Sequence, residues 1–100
     1  MATSKEYRDY VLEQFRLLNI TCRPMMGEYL LYCEGVLFGG IYDGRVLIKM
    51  TESNAKYALP QAIPYAGAKP MYLLEDLEQI EVLREIVLTT CKGLPVKKRK

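Results

Sequence analysis

One hundred residues, 50% apolar and 26% charged, suffice for a single globular domain that buries roughly 60–65% of its unfolded surface, so neither a disulfide nor a metal is required for folding. No apolar run approaches the roughly 20 residues of a membrane helix, and the lack of any histidine excludes Ser-His-Asp and Cys-His nucleophiles. The formal charge of +2 hides an acidic body: Lys97, Lys98, Arg99 and Lys100 carry four positive charges, and without them ten basic residues face twelve acidic ones, unlike a duplex-binding surface.

The N-terminal stretch from Met1 to Tyr10 has neither the basic start nor the apolar core of a signal peptide, and a cytoplasmic protein is expected. Residues 5–18 then read as an amphipathic helix. Tyr7, Val11, Phe15 and Leu18 share one stripe, with Tyr10 and Gln14 at its margin. Thr3 followed by Glu6 fits a capping box, Lys5–Asp9 and Glu13–Arg16 can pair on the wet side, and Asn19 is a stop.

Residues 20–26 read as a first strand, with Pro24 arguing for a sheet edge or an irregularity. Three hairpin-linked strands follow over 28–33, 36–42 and 45–50. Their turns are Glu34-Gly35 and Asp43-Gly44, where two-residue loops need positive φ at both positions. Two-residue loops set the register. Across Asp43-Gly44, Ile41 faces Val46 and Gly39 faces Ile48 on one side of the sheet. The other side then carries Phe38, Gly40 and Tyr42 beside Arg45, Leu47 and Lys49. Across Glu34-Gly35, Leu30 and Tyr32 join the Ile41 side, while Tyr29, Leu31, Cys33 and Val36 join the Phe38 side. Neither face is polar. Helices of this chain can cover one, and the other is a candidate for self-association.

Residues 53–58 suggest a short helix ended by Pro60, and 60–68 a loop. Residues 70–74 form a short fifth strand. The last helix spans 76–92, with Asp76 as cap, Gln79 as its box partner, and a stripe of Leu77, Ile80, Leu83, Ile86 or Val87, and Thr90. Gly93 and Pro95 end it. The order α-β-β-β-β-α-β-α defines an α+β fold. It is a two-layer sandwich, a mostly antiparallel sheet of about five strands with helices on one face. The domain runs over 1–95, with 96–100 a basic disordered tail.

Few residues carry chemistry. Cys22, Cys33 and Cys91 are too widely spaced for a zinc site and read as reduced, small apolar side chains. A redox-sensing thiol would need a lowered pKa and exposure. Gly39-Gly40 is no phosphate loop, lacking both the motif spacing and a following helix, and instead permits a bulge or the close approach of a helix. Glu75, Asp76, Glu78, Glu81 and Glu85 fit a helix start and a solvated face. Met25 and Met26 alternate on a strand, so one enters the core and the other lies opposite. Arg23 and Lys49 together could hold an anion. The segment from Tyr65 to Met71, with Lys69, is the best loop candidate for a site.

Arg23-Pro24-Met25-Met26-Gly27, Glu34-Gly35 with Phe38-Gly39, Asp43-Gly44-Arg45, Leu47-x-Lys49 and Tyr65-x-Gly67-x-Lys69-Pro70-Met71 occur in that order. Together they resemble the TfoX/Sxy N-terminal domain family, associated with regulators of bacterial competence, over about residues 5–93. The resemblance implies a two-layer α/β arrangement like that of secretion chaperones and YjbR-like proteins. The full-length regulators carry a further C-terminal domain, and since this sequence stops at Lys100 a single-domain member is expected. The expected function is a non-enzymatic interaction or regulatory module, partnered by a second copy or another protein, with no cofactor and no metal. The candidate surface comprises Arg23, Met25, Met26, Tyr29, Leu31, Phe38, Leu47, Lys49, Tyr65 and Lys69. The alternatives are a nucleic-acid-associated regulator using the basic tail, and a small-ligand binder using Arg23, Lys49, Tyr65 and Lys69.

Overall fold

The computed structural model describes residues 3–94. The expected tail, and Pro95 as a helix stop, lie outside the described residues. The chain forms helix α1 (Lys5–Gln14), then strands β1 (Ile20–Met25), β2 (Glu28–Cys33), β3 (Val36–Tyr42) and β4 (Arg45–Ile48). A 3₁₀ turn (Ala55–Tyr57), strands β5 (Gln61–Ala62) and β6 (Met71–Leu74), and helix α2 (Ile80–Lys92) complete it. All strands belong to one antiparallel sheet in the order β1-β2-β3-β4-β6-β5. The α+β architecture follows the expectation from sequence, with β5 as an added strand within what reads as loop. Pro24 does sit on an edge strand, where a missing N–H costs no ladder bond.

Three successive hairpins build the first four strands. Glu34-Gly35 (φ 49° and 86°) and Asp43-Gly44 (φ 53° and 73°) adopt the expected left-handed pair. A third turn of the same kind, Met26-Gly27 (φ 51° and 88°), joins β1 to β2. The chain thus leaves the strand at Met25, one residue early. Met25 lies half-buried on the sheet face away from the helices, and Met26 projects from the turn at 97% exposure. Neither methionine enters the core, contrary to the alternation expected of a strand through residue 26.

The β3–β4 register is the expected one, pairing Ile41 with Val46 and Gly39 with Ile48. The β2–β3 register departs from it. Cys33 pairs with Val36 and Tyr32 with Leu37, but Leu31 then pairs with Gly39 and Tyr29 with Ile41. The slip leaves Phe38 as the extra residue of a bulge, and beyond it every β2 side chain changes its β3 neighbours. Tyr29 and Leu31 therefore share a face with Ile41, Val46 and Ile48, while Leu30 and Tyr32 turn to the opposite one. The bulge also lets Phe38 and Ile41, an odd number of residues apart, point into the same core. Gly39 allows the slip: a Cβ there would run into the Leu47 carbonyl and lie 2.9 Å from Ile48 Cα. The close approach is by the β4 backbone, not by a helix.

Both helices cover this inner face. Val11 and Phe15 from α1 and Leu83, Ile86 and Val87 from α2 meet Tyr29, Leu31, Cys33, Phe38, Ile41, Val46, Ile48, Tyr72 and Leu74. Phe15 and Phe38 pack edge to face at 6.1 Å, a geometry that suits the ring quadrupoles. The first helix is shorter than the apolar stripe suggests. It closes through i→i+3 bonds, with Arg16 N–H on the Glu13 carbonyl and Leu18 N–H on that of Phe15. Its cap is Ser4, whose hydroxyl accepts from Tyr7 N–H at 3.1 Å, not Thr3. Thr3 is buried, donates to Glu28 Oε1 at 2.8 Å and accepts from Gly44 N–H at 3.1 Å. The last helix starts at Ile80 instead of 76. Asp76 spends its carboxylate on the Glu78 N–H, bending the chain so that Leu77 enters the core ahead of the helix.

Candidate functional site

On the outer face the sheet exposes a second, smaller set of apolar side chains. Register places Thr21, Arg23 and Met25 of β1, Leu30 and Tyr32 of β2, and Leu37 of β3 there. Next to them stand Tyr42 of β3, Arg45 and Leu47 of β4, and Met71 and Leu73 of β6. Leu47 is fully buried at 0% exposure although it is outside the main core. Residues 63–70 return along this half of the face, against Tyr42 and Arg45. Arg45 holds that segment: Nη2 donates to the carbonyls of Ile63 and Pro64, each at 3.3 Å, and Nε to that of Tyr42. Pro64 is buried, and the Tyr65 ring leans on Tyr42 with centroids 6.1 Å apart. Ala68 N–H closes a turn on the Tyr65 carbonyl at 3.0 Å, with Gly67 at φ 87°.

Beneath and beside this segment runs an open groove of about 660 Å³. Tyr42, Lys49 and Met50 line it from the sheet side, Pro64, Tyr65 and Ala68 to Met71 supply its other wall, and Leu94 reaches it from beyond α2. Its volume falls within the roughly 300–1,000 Å³ typical of small-molecule sites. No aspartate or glutamate lines it, and Lys49 and Lys69 make no ion pair among the described residues. The Lys49 backbone is fixed from both sides: its N–H donates to the Phe38 carbonyl at 2.8 Å, and its carbonyl accepts from Asn54 Nδ2 at 2.9 Å. Burial, and secondarily the Tyr65 and Glu28 neighbours, push the Tyr42 phenol up, so it keeps its proton and can donate.

The structure divides the residues expected to form one surface. Tyr29, Leu31 and Phe38 are core residues under the helices and cannot meet a partner, a consequence of the bulge. Leu47 is on the outer face but fully buried. Lys49, Tyr65 and Lys69 come together in the groove. Arg23 does not join them: β2 and β3 intervene between its strand and β4, three strand spacings or on the order of 14 Å. The paired anion site of Arg23 and Lys49 therefore does not form. Tyr42, Met50, Pro64 and Leu94 are groove residues that sequence reasoning missed. The placement of Tyr42 beside Arg45, Leu47 and Lys49 is legible from the hairpin register, whereas the return of residues 63–70 has no local signal.

Of the acids expected at a helix start, only Glu81 lies in the first turn of α2, because the helix begins at Ile80. Cys22, Cys33 and Cys91 are free, and burial pushes all three up, Cys91 to about 12 with Cys33 beside it. A reactive thiolate needs the opposite shift. Glu85 accepts from the Tyr57 hydroxyl at 2.9 Å, while Glu75, Asp76, Glu78 and Glu81 are exposed. Among the described residues no group of three or more acids and thiols is placed to hold a metal, and no helix is long and apolar enough to cross a membrane.

No family model matches the chain. A protein of Spirochaeta aurantia, described as an uncharacterized 12.7 kDa protein in the trpE 5′ region, is 30% identical over 102 residues, spanning 98% of this chain and 89% of its own length.

Proposed function

This chain belongs to the same family as the Spirochaeta aurantia 12.7 kDa protein, and we propose that it is a non-enzymatic interaction module that pairs with a second copy of itself through the outer face of the sheet. One observation carries this reading. The half of that face over β1–β3 presents Met25, Leu30, Tyr32 and Leu37, all half-buried, and the two helices are spent on the other face. A sheet face of this composition gains roughly 25 cal/mol for each Å² of apolar surface it removes from water, which favours a partner of matching shape.

Pairing face to face is favoured over pairing edge to edge. One edge is β1, where Pro24 removes a donor, and the other is the two-residue β5. A symmetric dimer brings the same patch from both subunits together, so each apolar residue is counted twice. The resemblance to the TfoX/Sxy N-terminal domain supports a regulatory use for such a dimer, and the missing histidine supports a non-enzymatic one.

Sedimentation velocity over a concentration series tests it. The expected result is a dimer for the natural chain and a monomer for Leu37→Glu, with unchanged far-UV circular dichroism, because a monomer keeps that position at its surface. A natural chain that stays monomeric at all workable concentrations would overturn the reading.

A further inference from the structure

We infer that the groove between Tyr42, Lys49 and the Tyr65–Lys69 segment is a binding site for a small organic anion with an apolar body. The inference goes beyond the dimer reading and stands without it, since the groove lies on the half of the outer face along which residues 63–70 return. Size, lining and charge all bear on the occupant. A groove of about 660 Å³ accommodates a molecule of some tens of heavy atoms and not a folded partner. The Tyr65 ring is 60% exposed at its rim, and Met50 is exposed beside it, so an apolar body finds surface that is still wet.

The sign of the charge is set by contrast with the rest of the body. Residues 1–96 carry ten basic and twelve acidic side chains, yet the groove contains Lys49 and Lys69 and no acid. The acids from Glu75 to Glu85 belong to the approach to α2 and its exposed turns. Two lysines beside an apolar wall, with no carboxylate in the lining, offer a carboxylate, sulfonate or phosphate two positive partners. Leu94 adds a further apolar side chain to the lining.

The full chain titrated with 8-anilino-1-naphthalenesulfonate, and separately with its neutral analogue N-phenyl-1-naphthylamine, tests the proposal. The expected result is one saturable sulfonate site per chain, with amide shifts in a ¹⁵N correlation spectrum confined to residues 49–50, 65–71 and 94. Lys49→Gln with Lys69→Gln should weaken the sulfonate about tenfold and leave the neutral probe within about twofold. Lys69 is exposed and Lys49 partly so, and circular dichroism is the check that the variant folds. Equal binding of the two probes, shifts centred on Leu30, Tyr32 and Leu37, or no saturable binding by the folded chain would each overturn it. So would a loss of binding on removing residues 97–100 that the lysine variant does not reproduce.

Discussion

Met26 shows how much a single residue can disclose. It occupies the first position of a two-residue hairpin turn at φ 51°, a conformation that asparagine and glycine adopt readily and other side chains adopt at a cost of roughly 1 kcal/mol. Its side chain is 97% exposed, so no packing within the described chain offsets that cost. Met26→Asn should therefore raise stability by about 1 kcal/mol, read as a higher urea midpoint at an unchanged slope. A loss of stability would show instead that the thioether is held by contacts. Gly39 is the complementary case, where the residue type is dictated by space. A β4 backbone that passes within contact of its missing Cβ makes glycine a packing requirement, and the bulge beside it decides which of Tyr29, Leu30, Leu31 and Tyr32 face the core.

The elements are held to one another by specific side chains as well as by the apolar core. Asn54 is fully buried and fully bonded. Its Nδ2 donates to the Lys49 carbonyl at 2.9 Å and to Thr90 Oγ1 at 2.8 Å, and its Oδ1 accepts from Thr51 N–H at 2.9 Å. One amide thus ties the end of β4 and the turn after it to the last turn of α2. Ser53 adds a bond to the Thr89 carbonyl at 2.8 Å. Asn54→Ala removes three hydrogen bonds, one of them buried, and should cost about 3 kcal/mol, with faster hydrogen exchange concentrated in residues 89–93. Apart from β5, the existence of the strands and helices was legible in the sequence because each signal is local: the apolar run over 28–33, Asp-Gly and Glu-Gly turns, and the 3.6-residue stripe of Leu83, Ile86, Val87 and Thr90. Element ends were not. Helix α1 stops at Gln14 and α2 starts at Ile80 because Gln14 and Leu77 are engaged across the fold, where Gln14 Nε2 donates to the Leu77 carbonyl.

At the scale of the whole molecule, the titration behaviour follows from composition and burial together. With no histidine, stability should stay flat between about pH 6 and 8. The folded state raises Cys22, Cys33, Cys91, Tyr7 and Tyr42 above their ordinary values, chiefly by burial. The unfolded chain then loses these protons first. The stabilising contribution is complete below the ordinary thiol value of 9.0 and is lost as pH climbs through the raised values, toward about 12 for Cys91. Urea midpoints should hold steady to about pH 8.5 and decline above it, and Cys91→Ala should flatten part of that decline. What the sequence by itself determined is the class, the strand order of the meander and the turn chemistry, since these depend on residues a few positions apart. Only the tertiary structure decided which face of the sheet is core, that residues 63–70 return along half of the other, and that Lys49, Tyr65 and Lys69 meet without Arg23. A one-residue slip at Phe38 and a loop held by Arg45 are contacts between distant segments, and their energy is realised only when the backbone of β4 and the return of the chain are already in place.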